Sequence, residues 1–73
     1  MRLSNAHPGQ TIEIVSIPDS SIRAQAIRFG LYEGAKVKCS QAIKKGPVIL
    51  QNYMQEIAIG HGLANKIEIK LVS

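Results

Sequence analysis

The chain has 73 residues, 45% of them apolar, and a formal net charge of +4. A chain of this size buries only about 60% of the surface that its unfolded form exposes, so its core is thin and leaves no second lobe around a deep active site. Its longest apolar runs, residues 48–50 and 57–59, are far shorter than the ~20 apolar residues of a membrane-spanning helix. The sequence therefore predicts a single small domain over residues 1–73, without a membrane span.

Cysteine usage and the first residues both bear on the cellular compartment. Cys39 is the single cysteine, so neither an intramolecular disulfide nor a paired-cysteine metal site can form. The first residues lack the apolar run of ~7–15 residues that a signal peptide needs. We expect a cytoplasmic protein.

A first strand is predicted over residues 11–17, which are rich in β-branched side chains. Ile12 and Ile14 share one face, whereas Val15 and Ile17 share the other. This change of phase predicts a bulge or strong coiling near Val15.

A short helix is predicted over residues 22–29. Asp19 and the two serines after it are good N-cap residues, because a short side-chain oxygen can accept from the free amides of a first turn. Ile22, Ala26 and Phe29 follow at helical spacing, so we expect one face of the helix, Phe29 included, to pack on the core.

The glycine after this helix predicts its end. Gly30 can adopt the left-handed conformation that closes a helix, and Leu31 can fold back onto the last turn, as in a Schellman motif. Gly34 then closes the next turn.

Four further strands complete the predicted fold. Polar and apolar residues alternate over 35–40 and 66–71, with Ala35, Val37, Cys39, Ile67, Ile69 and Leu71 on the inward faces. Two apolar segments, residues 47–51 and 55–59, lie between them and are joined by a hairpin loop. The sequence thus predicts a mainly β fold, a small five-stranded SH3-like barrel with one short helix after the first strand.

The order of these signals resembles the FeoA family of bacterial ferrous iron transport and the related SH3-like domain of iron-dependent repressors. Leu3 and Gly9 match the start of the family pattern, and residues 29–34 (FGLYEG) match its helix end, Leu/Phe-Gly-Leu/Met-x-x-Gly. Residues 46–48 match a Gly-Pro before an apolar strand, and residues 57–69 match the ending I-A-L/I-G-x-x-L-A-x-x-I-x-V/I. The similarity extends from Leu3 to Leu71.

The resemblance implies a non-enzymatic accessory protein of ferrous iron uptake. Such a protein docks on the cytoplasmic GTP-binding part of the FeoB transporter, which would keep it in the cytoplasm or at the inner membrane through that partner. A metal-dependent regulatory domain of the repressor type, binding a metal-site neighbour or a proline-rich strand, is the alternative. An RNA-binding barrel is a weaker one.

Chemistry within the chain offers little support for catalysis or a cofactor. The carboxylates and histidines have no acid and base spacing on one element, and Cys39 shares an inward face where a thiol usually behaves as a small apolar group. His7 and His61 are weak candidates for metal ligands, because neither has another ligand nearby in sequence. We expect no required cofactor, and at most weak binding of Fe(II) or another divalent metal.

A basic and aromatic segment after the helix is the predicted contact surface. We expect a protein partner to contact Arg28, Leu31, Tyr32, Lys36, Lys38, Tyr53 and Met54. Nucleic acid is not an expected partner, because single-strand binders stack bases on aromatic platforms and this chain has three aromatic residues.

Overall fold

A computed structural model describes residues 1–52 and 55–72. The five strands form one antiparallel sheet in the order β4-β3-β2-β1-β5, with bounds β1 Thr11–Ser16, β2 Lys36–Ala42, β3 Val48–Asn52, β4 Gln55–Ile59 and β5 Glu68–Leu71. Helix α1, Ser20–Ile27, connects β1 to β2, and a single helical turn α2, His61–Ala64, connects β4 to β5. This confirms the predicted mainly β fold with a helix after the first strand. The sequence did not predict α2 or the 3-10 turn Leu3–Asn5.

The predicted bulge in β1 is confirmed. The pairing of β1 with β5 shifts register between Ile14 and Ser16. Ile14 and Ile17 are both buried, whereas Val15 between them is 46% exposed. An extra residue in one strand changes which face the following side chains occupy. The bulge therefore lets Ile17 join the core despite its odd spacing from Ile14.

Both ends of α1 are capped as the sequence predicts, although the helix lies earlier than residues 22–29. The Asp19 carboxylate accepts hydrogen bonds from the Ser21 and Ile22 amides, at 2.9 and 3.2 Å. At the other end Gly30 has a φ of 78°. The Leu31 amide donates to the Ala26 carbonyl at 3.0 Å and the Gly30 amide donates to the Ile27 carbonyl at 3.1 Å. These two bonds form a Schellman motif.

The structure corrects two predicted core positions. Phe29 lies beyond the end of α1, so helical spacing no longer directs its side chain, and it is 48% exposed. Leu31, fully buried, fills the core below the turn instead. Leu71 was expected on the inward face but is 50% exposed, because it ends β5 at the edge of the sheet, where no further strand covers it.

The core is an aliphatic cluster between the sheet, α1 and α2. It contains no buried polar or charged residue among the described ones. Its largest fully buried side chains are Leu3, Ile12, Ile14, Ile17, Leu31, Val48, Leu50, Ile67 and Ile69. Cys39 is also buried, as predicted, and burial raises the pKa of its thiol. A buried thiol kept in its neutral form is a poor nucleophile.

Candidate docking surface

Tyr32 and Lys36 line the same surface hollow, of about 340 Å³, beside the turn that follows α1. Gly30 and Gly34, with φ angles of 78° and 94°, form the two tight turns that bring the chain from the end of α1 into β2. Tyr32, between these glycines, is half-exposed. The turns therefore present a tyrosine ring and a lysine together at the surface.

Asn52, at the end of β3, forms another wall of this hollow. A Cβ atom built on Gly30 would lie 2.5 Å from Nδ2 of Asn52, so the missing side chain at Gly30 leaves room for the amide. Sequence reasoning missed Asn52, because its approach to Gly30 depends on strand pairing between distant segments. The glycine at the end of the helix was the available signal, and it predicted a turn rather than a neighbour.

Two other predicted contact residues, Arg28 and Lys38, are exposed but do not line the hollow. Arg28 directly follows α1. Lys38 lies two residues after Lys36 on β2, so both side chains point to the outer face of the sheet. In sequence, Arg28 therefore precedes and Lys38 follows the segment 30–36 that forms most of the hollow.

Lys36 and Lys38 lie on a basic part of the sheet's outer face. Lys36 on β2 is paired with Glu13 on β1, and the Glu13 carboxylate lies 3.8 Å from Nζ of Lys70 on β5. Within residues 1–52 and 55–72, neither Lys36 nor Lys38 has a carboxylate within salt-bridge distance. Their charges are therefore available to an acidic partner. We call Arg28, Tyr32, Lys36 and Lys38 the basic surface.

One predicted contact residue, Leu31, does not belong to this surface. Leu31 is fully buried, so it contributes to the core and cannot touch a partner in this conformation. The reason is the Schellman turn, which folds Leu31 back under α1. Tyr53 and Met54 lie outside the described residues.

The two histidines are exposed and lie on different elements. His7 lines a shallow hollow with Lys44 at the β2–β3 turn, whereas His61 begins α2. Among the described residues, no group of three or more His, Cys, Asp or Glu side chains could hold a metal ion. The geometry thus adds no ligands to either histidine.

A family comparison accounts for the order of these elements. The model of the FeoA domain family matches residues 1–71. The chain belongs to the FeoA domain family. No curated protein is significantly similar in sequence.

Solved structures of FeoA proteins are similar over nearly the whole chain. An iron uptake regulatory protein (FeoA) is 27% identical with a TM-score of 0.88, and the match covers 99% of this chain and 97% of that one. FeoA protein from Chlorobium tepidum is 23% identical with a TM-score of 0.84, covering 100% of this chain and 71% of that one. This chain therefore has the FeoA fold.

The same fold occurs in a larger metal-binding protein. ScaR, solved with bound Cd²⁺, is 17% identical with a TM-score of 0.83, and the match covers 96% of this chain but 35% of that one. At this identity the likeness concerns the fold alone. The predicted relation to the SH3-like domain of metal-dependent repressors is confirmed at that level.

No helix in the described part of the chain is both long and apolar enough to cross a membrane. The longest helix, α1, has eight residues.

Proposed function

We propose that this protein is a cytoplasmic, non-enzymatic accessory protein of bacterial ferrous iron uptake. It docks on the cytoplasmic GTP-binding part of a FeoB-type transporter and supports or regulates iron(II) transport. Membership of the FeoA domain family carries the link to iron uptake. The similar structures described as an iron uptake regulatory protein and as iron(II) transport protein A from Clostridium thermocellum support it.

The basic surface is the proposed docking site. Tyr32 and Lys36 share one hollow, and Lys38 adds a second exposed cation on the same face of β2. Complementary charge speeds association with an acidic partner and fixes its orientation, and a half-exposed tyrosine supplies apolar area at low entropic cost. Together they suit a protein surface with a carboxylate opposite the lysines and a shallow recess for the ring.

Calorimetric titration with the soluble cytoplasmic domain of the transporter tests this proposal. We expect binding at low salt and a weaker interaction in the double variant Lys36→Glu/Lys38→Glu. The matched control is Lys44→Glu/Lys45→Glu, which makes the same charge change at the β2–β3 turn. The control should bind within about threefold of the unmodified chain, because exposed charges more than a Debye length (~10 Å) from the contact are screened.

Two outcomes would overturn the proposed site or the proposed partner. Equal loss of binding in both double variants would show that net charge, rather than the basic surface, governs the interaction. An absence of binding at low salt would reject the transporter domain as the partner.

A further inference from the structure

An apolar groove of about 510 Å³ lies between α1 and β4, and none of its lining residues belongs to the basic surface. Its apolar walls include Ile22 and Ala26 of α1, Phe29, Ile57, Leu63 and Ile67. Phe29 is 48% exposed at its rim. A half-exposed aromatic ring beside an apolar hollow is a common anchor in protein contacts.

The groove runs along the edge of β4 rather than over one face of it. All five residues of β4, Gln55–Ile59, line the groove. Successive side chains of a strand point to opposite faces, so a hollow over one face would be lined by alternate residues. A hollow that touches every residue must lie beside the strand.

That edge of β4 is free. β4 is the last strand of the sheet and pairs with β3 alone. In the described part of the chain, no turn or loop backbone group bonds to β4. A strand edge of this kind presents unpaired N–H and C=O groups to any extended chain that approaches it.

The hydrogen bonds of β2 show toward which neighbouring strand the backbone N–H and C=O groups of each residue point. In an antiparallel ladder, residues that bond to one neighbouring strand alternate with residues that face the other side. The Cys39 amide donates to the Gln10 carbonyl at 2.8 Å, so the backbone groups of Cys39 point toward β1. The backbone groups of Lys38, one residue earlier, therefore point toward β3, where Lys38 pairs with Gln51.

The same alternation identifies the free groups of β4. Because the backbone groups of Gln51 point toward β2, those of Leu50 point toward β4, where Leu50 pairs with Ile57. Ile57 therefore uses its backbone groups on β3. Glu56 and Ala58, on either side of Ile57, direct theirs to the open edge, and both residues are exposed.

These features define the chemistry of an occupant. The free edge favours an extended backbone with its own N–H and C=O groups, and the apolar walls favour apolar side chains at alternate positions. A proline-rich segment fits less well, because it lacks those amides and is bound in aromatic-lined grooves, whereas Phe29 is the single aromatic residue among the described residues that line this groove. The chain's net charge of +4 opposes a second copy as the occupant.

We propose that the groove between α1 and β4 accepts an extended apolar segment of a protein partner, which adds a sixth strand to the sheet at the free edge of β4. The added strand bonds to Glu56 and Ala58 and places alternate apolar side chains against α1. This site uses none of the residues of the basic surface, and the proposal does not depend on which protein supplies the segment.

Amide exchange with a synthetic peptide tests the site directly. The probe is an acetylated and amidated peptide in which valines alternate with threonines between terminal lysines. In the free chain we expect fast hydrogen exchange at Glu56 and Ala58 and slow exchange at Ile57. Saturating peptide should slow exchange at Glu56 and Ala58 by about tenfold or more, since each amide gains a hydrogen bond.

Two N-methylated versions of the peptide distinguish strand addition from simple apolar contact. One is methylated on the valine amides and the other on the threonine amides. Successive residues of a strand direct their amides to opposite edges, so one version should lose binding and the other should keep it. Equal binding of both versions would overturn the proposal.

A pair of variants tests the same edge from the protein side. Ala58→Pro removes an outward amide while leaving the bonds of Ile57 to β3, and should weaken peptide binding by about tenfold. The control Ala58→Val keeps the amide and should bind like the unmodified chain. If Ala58→Pro does not fold, the N-methylated peptides decide the question.

Other outcomes also contradict the proposal. Absence of binding by the valine–threonine peptide, or displacement of this peptide by a proline-rich one, would do so. Protection of Glu56 and Ala58 that rises with chain concentration alone would instead assign the edge to a second copy.

Discussion

The basic surface and the groove between α1 and β4 differ in what they offer a partner. The basic surface carries exposed lysines that have no carboxylate within salt-bridge distance among the described residues, next to a half-exposed tyrosine. The groove has apolar walls and a strand edge, and among the described residues that line it Glu56 alone is charged. Binding at the first should weaken as salt screens charge, whereas binding at the second depends on burial and backbone pairing. One small domain thus presents two chemically distinct surfaces.

The largest expected effect separates two neighbouring residues of the turn, Leu31 and Tyr32. Leu31→Ala should cost about 2–5 kcal/mol of unfolding free energy, because it removes a fully buried side chain from the core. Tyr32→Ala should change stability by only about 0.5 kcal/mol, because half of its side chain is exposed. Urea denaturation of both variants measures the contrast. Equal losses would contradict the assignment of Leu31 to the core and of Tyr32 to the surface.

A smaller loss is expected at Gly30, which shapes the hollow of the basic surface. Gly30→Ala places a side chain at a φ of 78° and pushes its Cβ against the Asn52 amide, so it should cost about 1–3 kcal/mol. Adding Asn52→Ala should recover the part due to the clash and leave the part due to the backbone. Thermal or urea unfolding of the single and double variants gives the two contributions. If the Asn52 change recovers nothing, the close approach to Gly30 is not a constraint.

Salt should distinguish the two surfaces more directly than any single substitution. Raising ionic strength from about 0.05 to 0.5 M should weaken binding of the transporter's cytoplasmic domain by about tenfold, since surface charges are then largely screened. The affinity of the valine–threonine peptide for the groove should change by less than about threefold, since apolar burial is not weakened by salt. Calorimetry at both ionic strengths measures each. Parallel salt dependences would contradict the division into a charged and an apolar surface.

The smallest predicted effect concerns the buried thiol of Cys39. Burial raises the pKa of the Cys39 thiol above its ordinary value of 9.0, so the folded chain holds this proton more tightly than the unfolded chain does. Stability should therefore be unaffected below that value and fall as pH rises above it. Cys39→Ala should lack this loss, as judged by the difference in urea midpoints between the two proteins at about pH 8 and pH 10. Identical pH dependences would contradict the predicted coupling.

Local sequence signals predicted those parts of the fold that depend on neighbours along the chain. The bulge at Val15, the Asp19 cap and the Gly30 stop each follow from a few adjacent residues, and the structure confirms all three. The strand pattern also predicted the burial of Cys39. Alternation and turn chemistry act over short distances, so one sequence is enough to reveal them.

Features that depend on where an element ends were harder to predict. Helical spacing assigned Phe29 to the core, but α1 ends at Ile27 and the turn exposes the ring. The same turn buries Leu31, which had been expected to contact a partner. Because the helix ends two residues earlier than predicted, Phe29 lies at the surface and Leu31 lies in the core.

Features that join distant segments could not be predicted at all. The approach of Asn52 to Gly30 brings the end of β3 to the turn after α1. The groove depends on β4 being an edge strand next to α1, and therefore on the order of strands in the sheet. Neither arrangement leaves a local pattern in the sequence.

Mapping of amide chemical shifts with the transporter's soluble cytoplasmic domain tests the central claim most directly. Residues 28–38 should show the largest changes at low salt, those changes should disappear in Lys36→Glu/Lys38→Glu, and the β2–β3 turn around Lys44 should stay unperturbed. An absence of shift changes, or changes centred on the β2–β3 turn, would contradict docking through the basic surface.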